Sequence, residues 1–196
     1  MKSYDLALIT KEIYNSSIEL FTLKTLKDLL AIDKASSLFK VISRLSSSGI
    51  IKKIERNKYI LKDFSGSEFK LANFIYEPSY VSFESALSYY GILSQFPYEI
   101  TSVTIKQTKL KTIDDKQYGY YHLKKDLFWG YEKKDNYLIA DKEKALADQL
   151  YFSIKGLKKI NLDEYDLSLI DNRKLKSYLS KYPRSVDLIN KFFNFK

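Results

Sequence analysis

Apolar residues recur at helical spacing in three successive segments of the first third of the chain. Their stripes consist of Leu6, Ile9, Ile13 and Tyr14, then Leu26, Leu29 and Leu30, and then Leu38, Val41, Ile42 and Leu45. A threonine, Thr22 or Thr25, is suited to cap the second helix, and Asp33 is a good N-cap for the third. Gly49 ends the third helix, since glycine is the usual residue after a helix C-terminus. The pattern therefore predicts three short helices.

Two short strands follow the third predicted helix. Residues 51–55 and 58–61 are extended in pattern and flank Arg56-Asn57, where asparagine tolerates the left-handed conformation that a tight hairpin requires. Residues 20–22 form another short extended piece between the first two helices. Three helices followed by a hairpin is the order of a winged helix-turn-helix, which is the fold that we predict for the N-terminal part.

The polar stretch 63–67 contains a glycine and separates two patterned regions. We predict a winged helix-turn-helix domain over residues 1–64 and a second domain over residues 68–196. In the second domain, helices are predicted at 68–76, from Ser82 to Gly91, from Asp141 to Ile154, at 172–181 and at 185–193, and strands at 100–105, 118–123 and 137–140. The helix after Asp141 has an apolar stripe of Ala145, Leu146, Leu150 and Tyr151. The predicted fold class is α+β, with a mixed α/β C-terminal domain that ends in helices.

The charge balance narrows the kind of partner. The chain has 33 basic and 24 acidic residues, for a net charge of +9. Within residues 1–65 the balance is 12 basic to 7 acidic, so positive charge is denser in the N-terminal part. This suits a polyanionic partner, either nucleic acid or an anionic membrane surface. The alternative is genomic bias, because Lys, Tyr, Ile and Asn are all plentiful, as an AT-rich genome produces in any protein.

The residue inventory excludes several chemistries. There is no cysteine, which rules out disulfides, iron–sulfur clusters and thiolate zinc sites. His122 is the one histidine, so we expect no metal site and no cofactor.

Charged residues interrupt the stretch from Met1 to Leu20, which is therefore not a signal peptide, and no window approaches the roughly 20 apolar residues that span a bilayer. We expect a soluble, cytoplasmic protein with no membrane partner.

The polar face of the third predicted helix is suited to the major groove of DNA. Its residues are Ser36, Ser37, Lys40, Ser43, Arg44 and Ser47. Small serines permit close approach, and the planar fork of Arg44 matches O6 and N7 of guanine, whereas Lys40 suits a phosphate. The hairpin adds Lys52, Lys53, Arg56 and Lys58, which can contact the neighbouring DNA backbone or the minor groove. Two alternatives are a merely solvated helix face and a winged domain that docks protein.

The second domain has one constellation of titratable residues to weigh as a catalytic site. It comprises Glu84, His122, Glu143, Lys144 and Asp148. Lys144 and Asp148 are spaced as an ordinary surface ion pair, worth about 0.2–0.5 kcal/mol. A catalytic interpretation would place Glu84 and Asp148 around a phosphate or a metal, but no phosphate loop, metal-ligand cluster or nucleophile motif accompanies them. We therefore expect no enzyme, and we expect His122 to be a hydrogen-bonded structural residue.

Three stretches together resemble the AbiEi family of antitoxins. They are residues 48–51 with 56–59, residues 80–87 with 90–92, and residues 141–148 preceded by 122–130. The wing turn often carries glycine in that family where this chain has Asn57, and the C-terminal helices show no matching signature.

The resemblance implies an autorepressor that binds inverted repeats in double-stranded DNA upstream of its own operon. It also implies a cognate toxin that resembles a nucleotidyltransferase, which the second domain helps to neutralise with or without direct contact. The candidate residues of that antitoxin domain are Ser82, Glu84, Ser85, Lys144 and Asp148. The alternative is a protein-interaction or catalytic antidote in which the winged domain docks protein rather than DNA.

Overall fold

The computed structural model describes residues 5–193, so the first four residues of predicted domain 1–64 and the last three of domain 68–196 lie outside the described residues. The chain divides into two compact units, one that ends at Ser67 and one that begins at Glu68. Both units combine helices and strands, which confirms the α+β class.

Three helices and a three-stranded sheet make up the first unit. In chain order they are α1 (Leu6–Asn15), β1 (Leu20–Thr22), α2 (Leu23–Leu29), α3 (Ala35–Ser47), β2 (Ile51–Glu55) and β3 (Lys58–Leu61). The sheet is antiparallel with β3 in the centre, between β1 and β2. Asn57 has φ of 59° in the turn between β2 and β3, as its sequence position predicts. The predicted helices and strands of this region are therefore present.

The helix caps of this unit follow the sequence with one exception. Thr22 caps α2 by accepting a hydrogen bond from the backbone N–H of Thr25 at 3.0 Å. The prediction of Asp33 as the N-cap of α3 was wrong. Lys34 holds that position, because its carbonyl accepts from the N–H of Leu38, and Asp33 instead pairs with Lys27 at 3.3 Å.

The core of the first unit is apolar throughout. The predicted stripe of α3 is buried, as are Ile13, Phe21 and Leu26, each with no exposed area. Tyr14 was wrongly placed in the stripe of α1: its ring is 45% exposed and its hydroxyl lies 3.5 Å from the carboxylate of Asp63. A phenol at the edge of a helical stripe keeps its polar end in water, which explains the difference.

The second unit contains one six-stranded sheet and five α-helices among its described residues. In chain order they are α4 (Glu68–Ile75), β4 (Ser79–Val81), α5 (Phe83–Tyr89), β5 (Ile100–Thr104), β6 (Lys109–Ile113), β7 (Lys116–His122), β8 (Tyr131–Lys134), β9 (Tyr137–Ala140), α6 (Lys142–Ile154), α7 (Asn172–Leu179) and α8 (Ser185–Phe193). Sequence analysis missed three of these strands. β4 has only three residues, and β6 and β8 are exposed edge strands with no hydrophobic alternation.

The strand order is β6-β7-β5-β4-β9-β8. β5 runs parallel to β7 and β4 runs parallel to β9, whereas the other neighbours are antiparallel. Successive side chains of a strand point to opposite faces of the sheet. Two neighbouring residues of β7 therefore report which helices pack on each face. Tyr120 hydrogen-bonds to the carbonyl of Ala72 on α4, while Tyr121 packs against Phe83 of α5 and Phe152 of α6. Helices therefore cover both faces of the sheet, which explains why β5 is buried at every position.

The two faces of α3 provide a stability test of this fold. We expect Leu45→Ala to lower the free energy of unfolding by about 2–5 kcal/mol, because a fully buried leucine leaves a cavity when it is truncated. Lys40→Ala, on the exposed face of the same helix, should change it by no more than about 0.5 kcal/mol. Urea denaturation measures both. Equal losses in the two variants would contradict the assignment of the faces.

Candidate functional site

The exposed face of α3 brings the predicted recognition residues together on one surface. Ser36, Lys40, Ser43 and Arg44 are exposed and Ser37 is partly exposed, opposite the buried stripe that holds α3 to its unit. Helical periodicity produces this separation, since residues three and four positions apart share a face. We refer to these five residues as the α3 face.

The hairpin of β2 and β3 follows the α3 face directly. Gly49, with φ of 70°, allows the chain to turn out of α3, and the N–H of Ile50 then bonds to the carbonyl of Leu45 at 2.9 Å. Lys53 and Arg56 are exposed on the hairpin, and Lys58 is partly exposed. A helix face with small polar residues beside a basic hairpin can offer donors to base edges and cations to phosphates.

The second unit carries a different kind of polar site, which is closed to solvent. Asp148 on α6 has no exposed area, yet its carboxylate accepts four hydrogen bonds. Its Oδ1 accepts from Lys144 Nζ at 2.6 Å and from the Tyr182 hydroxyl at 2.5 Å. Its Oδ2 accepts from the Ser82 hydroxyl at 2.8 Å and the Tyr80 hydroxyl at 3.0 Å. We call these five residues the Lys144–Asp148 cluster.

The ammonium group of Lys144 is also fully surrounded. Besides Asp148 it donates to the carbonyl of Leu127 at 3.1 Å and to the hydroxyl of Tyr182. The ring of Trp129 lies 4.6 Å from the nitrogen and supplies a cation–π contact. A lysine ammonium has three donors, and each of them has an acceptor here.

Burial shifts the pKa values of three members of the cluster, Lys144, Tyr80 and Tyr182, toward their neutral forms. It lowers the pKa of Lys144, although the carboxylate of Asp148 opposes that shift. Burial, together with the same carboxylate, raises the pKa of Tyr80 and of Tyr182 well above the usual range. Both phenols therefore stay protonated and continue to donate to Asp148 over the physiological pH range.

The sequence-based interpretation of this pair was wrong in its location. Lys144 and Asp148 have the spacing of a surface ion pair, but neither has any exposed area. The predicted apolar stripe of α6 is wider than expected, because ten consecutive residues, 143–152, are buried. The cause is tertiary: α6 packs against β9, α5, α7 and α8, so no side of it is left for solvent.

The remaining candidates of the second unit have separate roles. Ser82 stands at the N-cap position of α5, but its side chain donates to Asp148 instead of capping the helix. Ser85 links α5 to β5 by accepting from the N–H of Thr101 at 2.8 Å. Glu84 accepts from Lys158 Nζ at 2.8 Å and from Gln149 Nε2 at 2.9 Å.

Glu84 and Asp148 are each paired with a different lysine, Lys158 and Lys144 respectively. Among residues 5–193 no group of three or more His, Cys, Asp and Glu side chains could hold a metal ion. The ring of His122 forms a hydrogen bond through Nδ1 with the carbonyl of Lys106 at 2.9 Å. Sequence reasoning missed Tyr80, Tyr182 and Lys158 as members of these polar networks.

Comparisons with known proteins add no relative. No protein-family model matches the chain, and no curated protein matches it. The resemblance to the AbiEi antitoxins thus rests on the three sequence stretches alone. Within the described part of the chain, no helix is both long enough and apolar enough to cross a membrane.

The burial of the Lys144–Asp148 ion pair should affect the stability of the protein. We expect Lys144→Met to lower the free energy of unfolding by about 3–5 kcal/mol, because it leaves the Asp148 carboxylate buried without its cation. Adding Asp148→Asn should cost less than the sum of the two single losses, since the amide can still accept from the hydroxyls.

Chemical denaturation of the two single variants and the double variant measures this coupling. The matched control is Lys134→Met, which removes a lysine from an exposed pair with Glu132 and should cost no more than about 1 kcal/mol. Additive losses at Lys144 and Asp148 would contradict a directly coupled buried pair.

Proposed function

We propose that the first unit is a winged helix-turn-helix that binds double-stranded DNA and that the protein is a transcriptional autorepressor. The observation that carries the proposal is the α3 face, in which serines and two cations are exposed on the helix that leads directly into a basic hairpin. The charge of the N-terminal part, with 12 basic and 7 acidic residues through position 65, supports a polyanionic partner.

In this proposal α3 enters the major groove and the hairpin lies along the neighbouring backbone. Arg44 makes a bidentate contact to guanine, and Lys40 contacts a phosphate. Lys53, Arg56 and Lys58 contact phosphates or the minor groove from the hairpin.

We also propose, from the resemblance to the AbiEi family, that the protein is the antitoxin of a toxin–antitoxin pair. The toxin would resemble a nucleotidyltransferase, and the operator would be inverted repeats upstream of the antitoxin's own operon. The second unit would neutralise the toxin, and this role requires neither enzyme activity nor a cofactor in the second unit.

One observation favours a second function for the first unit. Phe39 on α3 is 50% exposed, and an exposed aromatic ring is a typical anchor of a protein interface. If α3 docks protein, Phe39→Ala should abolish capture of that partner and leave DNA binding unchanged. If α3 binds DNA, the same substitution removes at most an apolar contact to a thymine methyl group.

Fluorescence anisotropy tests DNA binding with the purified protein, its own upstream duplex and a scrambled duplex. We expect tighter binding to the upstream duplex and a steep loss of affinity between two salt concentrations, because phosphate contacts release counterions. Equal and weak binding to both duplexes would overturn the repressor proposal.

Two variants separate base recognition from backbone contact. Arg44→Ala should weaken operator binding by about 1–3 kcal/mol and relax its sequence preference. Lys53→Ala should weaken binding to both duplexes alike and reduce the salt slope by about one. Lys11→Ala removes an exposed cation of α1 and is the matched control, which should bind as the unmodified protein does. Operator binding by Arg44→Ala at full strength would place the recognition face elsewhere.

The division of labour between the units can be tested in cells that express the neighbouring nucleotidyltransferase-like gene. We expect the double variant Lys40→Ala and Arg44→Ala to lose repression but still rescue growth, because both substitutions lie in the first unit. Immunoblotting must show equal protein levels. Loss of rescue at equal level would contradict assignment of neutralisation to the second unit.

A further inference from the structure

A cleft of about 630 Å³ in the second unit lies where β5 and β7 end. Its lining residues are Tyr76, Ile105, Lys106, Gln107, Thr108 and His122. Because β5 and β7 run parallel, their carboxyl ends meet at the same edge of the sheet. Ligands of open α/β sheets commonly bind outside the carboxyl ends of parallel strands. The cleft is thus at a place where the topology favours a ligand.

The exposed loop that forms one wall of the cleft is held in place by hydrogen bonds. The N–H of Lys106 donates to Thr104 Oγ1 at 3.1 Å, and the Tyr76 hydroxyl donates to the carbonyl of Gln107 at 3.3 Å. The N–H of His122 donates to Thr108 Oγ1 at 3.0 Å. A loop fastened at three successive residues loses little conformational entropy when a ligand binds.

The ring of His122 is oriented by the same loop. Its Nδ1 lies 2.9 Å from the carbonyl of Lys106, and since a carbonyl can only accept, Nδ1 carries the hydrogen. Nε2 is then the ring atom that can meet a ligand. It accepts a hydrogen bond in the neutral ring and donates one in the protonated ring.

Lys106 is the formally charged residue in the lining of the cleft, and it is a cation. The two segments that contribute its loop and strand end, residues 105–109 and 122–125, carry four lysines and no acidic residue. The ammonium of Lys106 lies 5.4 Å from the centre of the Tyr76 ring, which keeps this cation at the cleft wall. The ammonium of Lys106 and the polar side chains of Gln107 and Thr108 can donate to phosphate oxygens, and His122 Nε2 can do so in the protonated ring.

A second cleft of the same unit, about 650 Å³ in volume, shows the contrast. Two of its lysines are already engaged by neighbouring side chains: Lys158 binds Glu84 at 2.8 Å and Lys191 donates to Ser153 Oγ at 2.9 Å. A ligand in the second cleft would have to displace these side-chain bonds. In the first cleft the ammonium of Lys106 lies over the ring of Tyr76.

We propose that the cleft of Lys106 and His122 binds a phosphate group, carried either by a free phosphate compound or by the backbone of a nucleic acid. The site belongs to the second unit, and the proposal does not depend on DNA binding by the α3 face. Lys106 supplies the positive charge, and His122 donates a hydrogen bond from Nε2 when its ring is protonated. The hydrogen-bonded loop of residues 106–108 holds both side chains at the cleft.

His122 is the one histidine of the chain, so its ring resonances in a proton NMR spectrum report on this cleft without interference from another imidazole. The full chain is titrated with pyrophosphate, with a parallel titration in sodium chloride of equal ionic strength. We expect saturable shifts of the His122 resonances with pyrophosphate only. Lys106→Gln should weaken this binding at least about tenfold, since it removes the cation while keeping a similar shape.

The matched control is Lys176→Gln, which removes one exposed lysine from α7 and should leave the titration unchanged. A second arm replaces pyrophosphate with a mixed-sequence DNA duplex, using the Lys40→Ala and Arg44→Ala variant. Shifts of His122 that Lys106→Gln abolishes would assign the site to nucleic-acid phosphates. A response to pyrophosphate alone would assign it to a free phosphate compound. Shifts no larger than those in sodium chloride in both arms, or equal affinity after Lys106→Gln, would overturn the proposal.

Discussion

The buried contact between Lys144 and Asp148 is the constraint on which the second unit depends. Its partners come from separate parts of the chain: Tyr80 from β4, Ser82 from the start of α5 and Tyr182 from the segment between α7 and α8. A buried ion pair costs several kcal/mol in desolvation unless its hydrogen bonds are complete. Because every donor and acceptor of this pair must be satisfied, α6 can occupy its place only when the sheet, α5 and the C-terminal helices are assembled around it.

The candidate functional residues of the first unit are mostly exposed, whereas most of those of the second unit are buried. In the first unit the core is apolar, and the residues proposed to contact DNA lie on the opposite side of α3 from the buried stripe. In the second unit Ser82, Lys144 and Asp148 are internal, and Ser85 is buried between α5 and β5. Substitutions at these four positions are therefore expected to change the stability of the unit rather than a contact with a partner. Any partner that docks on this unit would therefore contact other residues of it.

The sequence-based predictions succeeded where the signal is local. Thr22, Gly49 and Asn57 each specify a cap or a turn by backbone chemistry that needs no distant residue, and the elements they delimit are present. They failed at β6 and β8, because edge strands that face solvent lack the hydrophobic alternation that identifies a strand. They also failed at Asp33, where the chain begins α3 one residue later than a favourable capping residue indicates.

The amino-acid sequence by itself determined the α+β class, most helix and strand positions, the buried stripe of α3 and the excess of positive charge. These follow from periodicity, capping and composition, which act over a few residues. Only the tertiary structure decided that Lys144 and Asp148 are interior, since an i, i+4 spacing is the same for a surface pair and a buried one. It also decided that Lys106 and His122 line one cleft, because the parallel pairing of β5 with β7 brings together two strand ends whose sequence separation carries no signal.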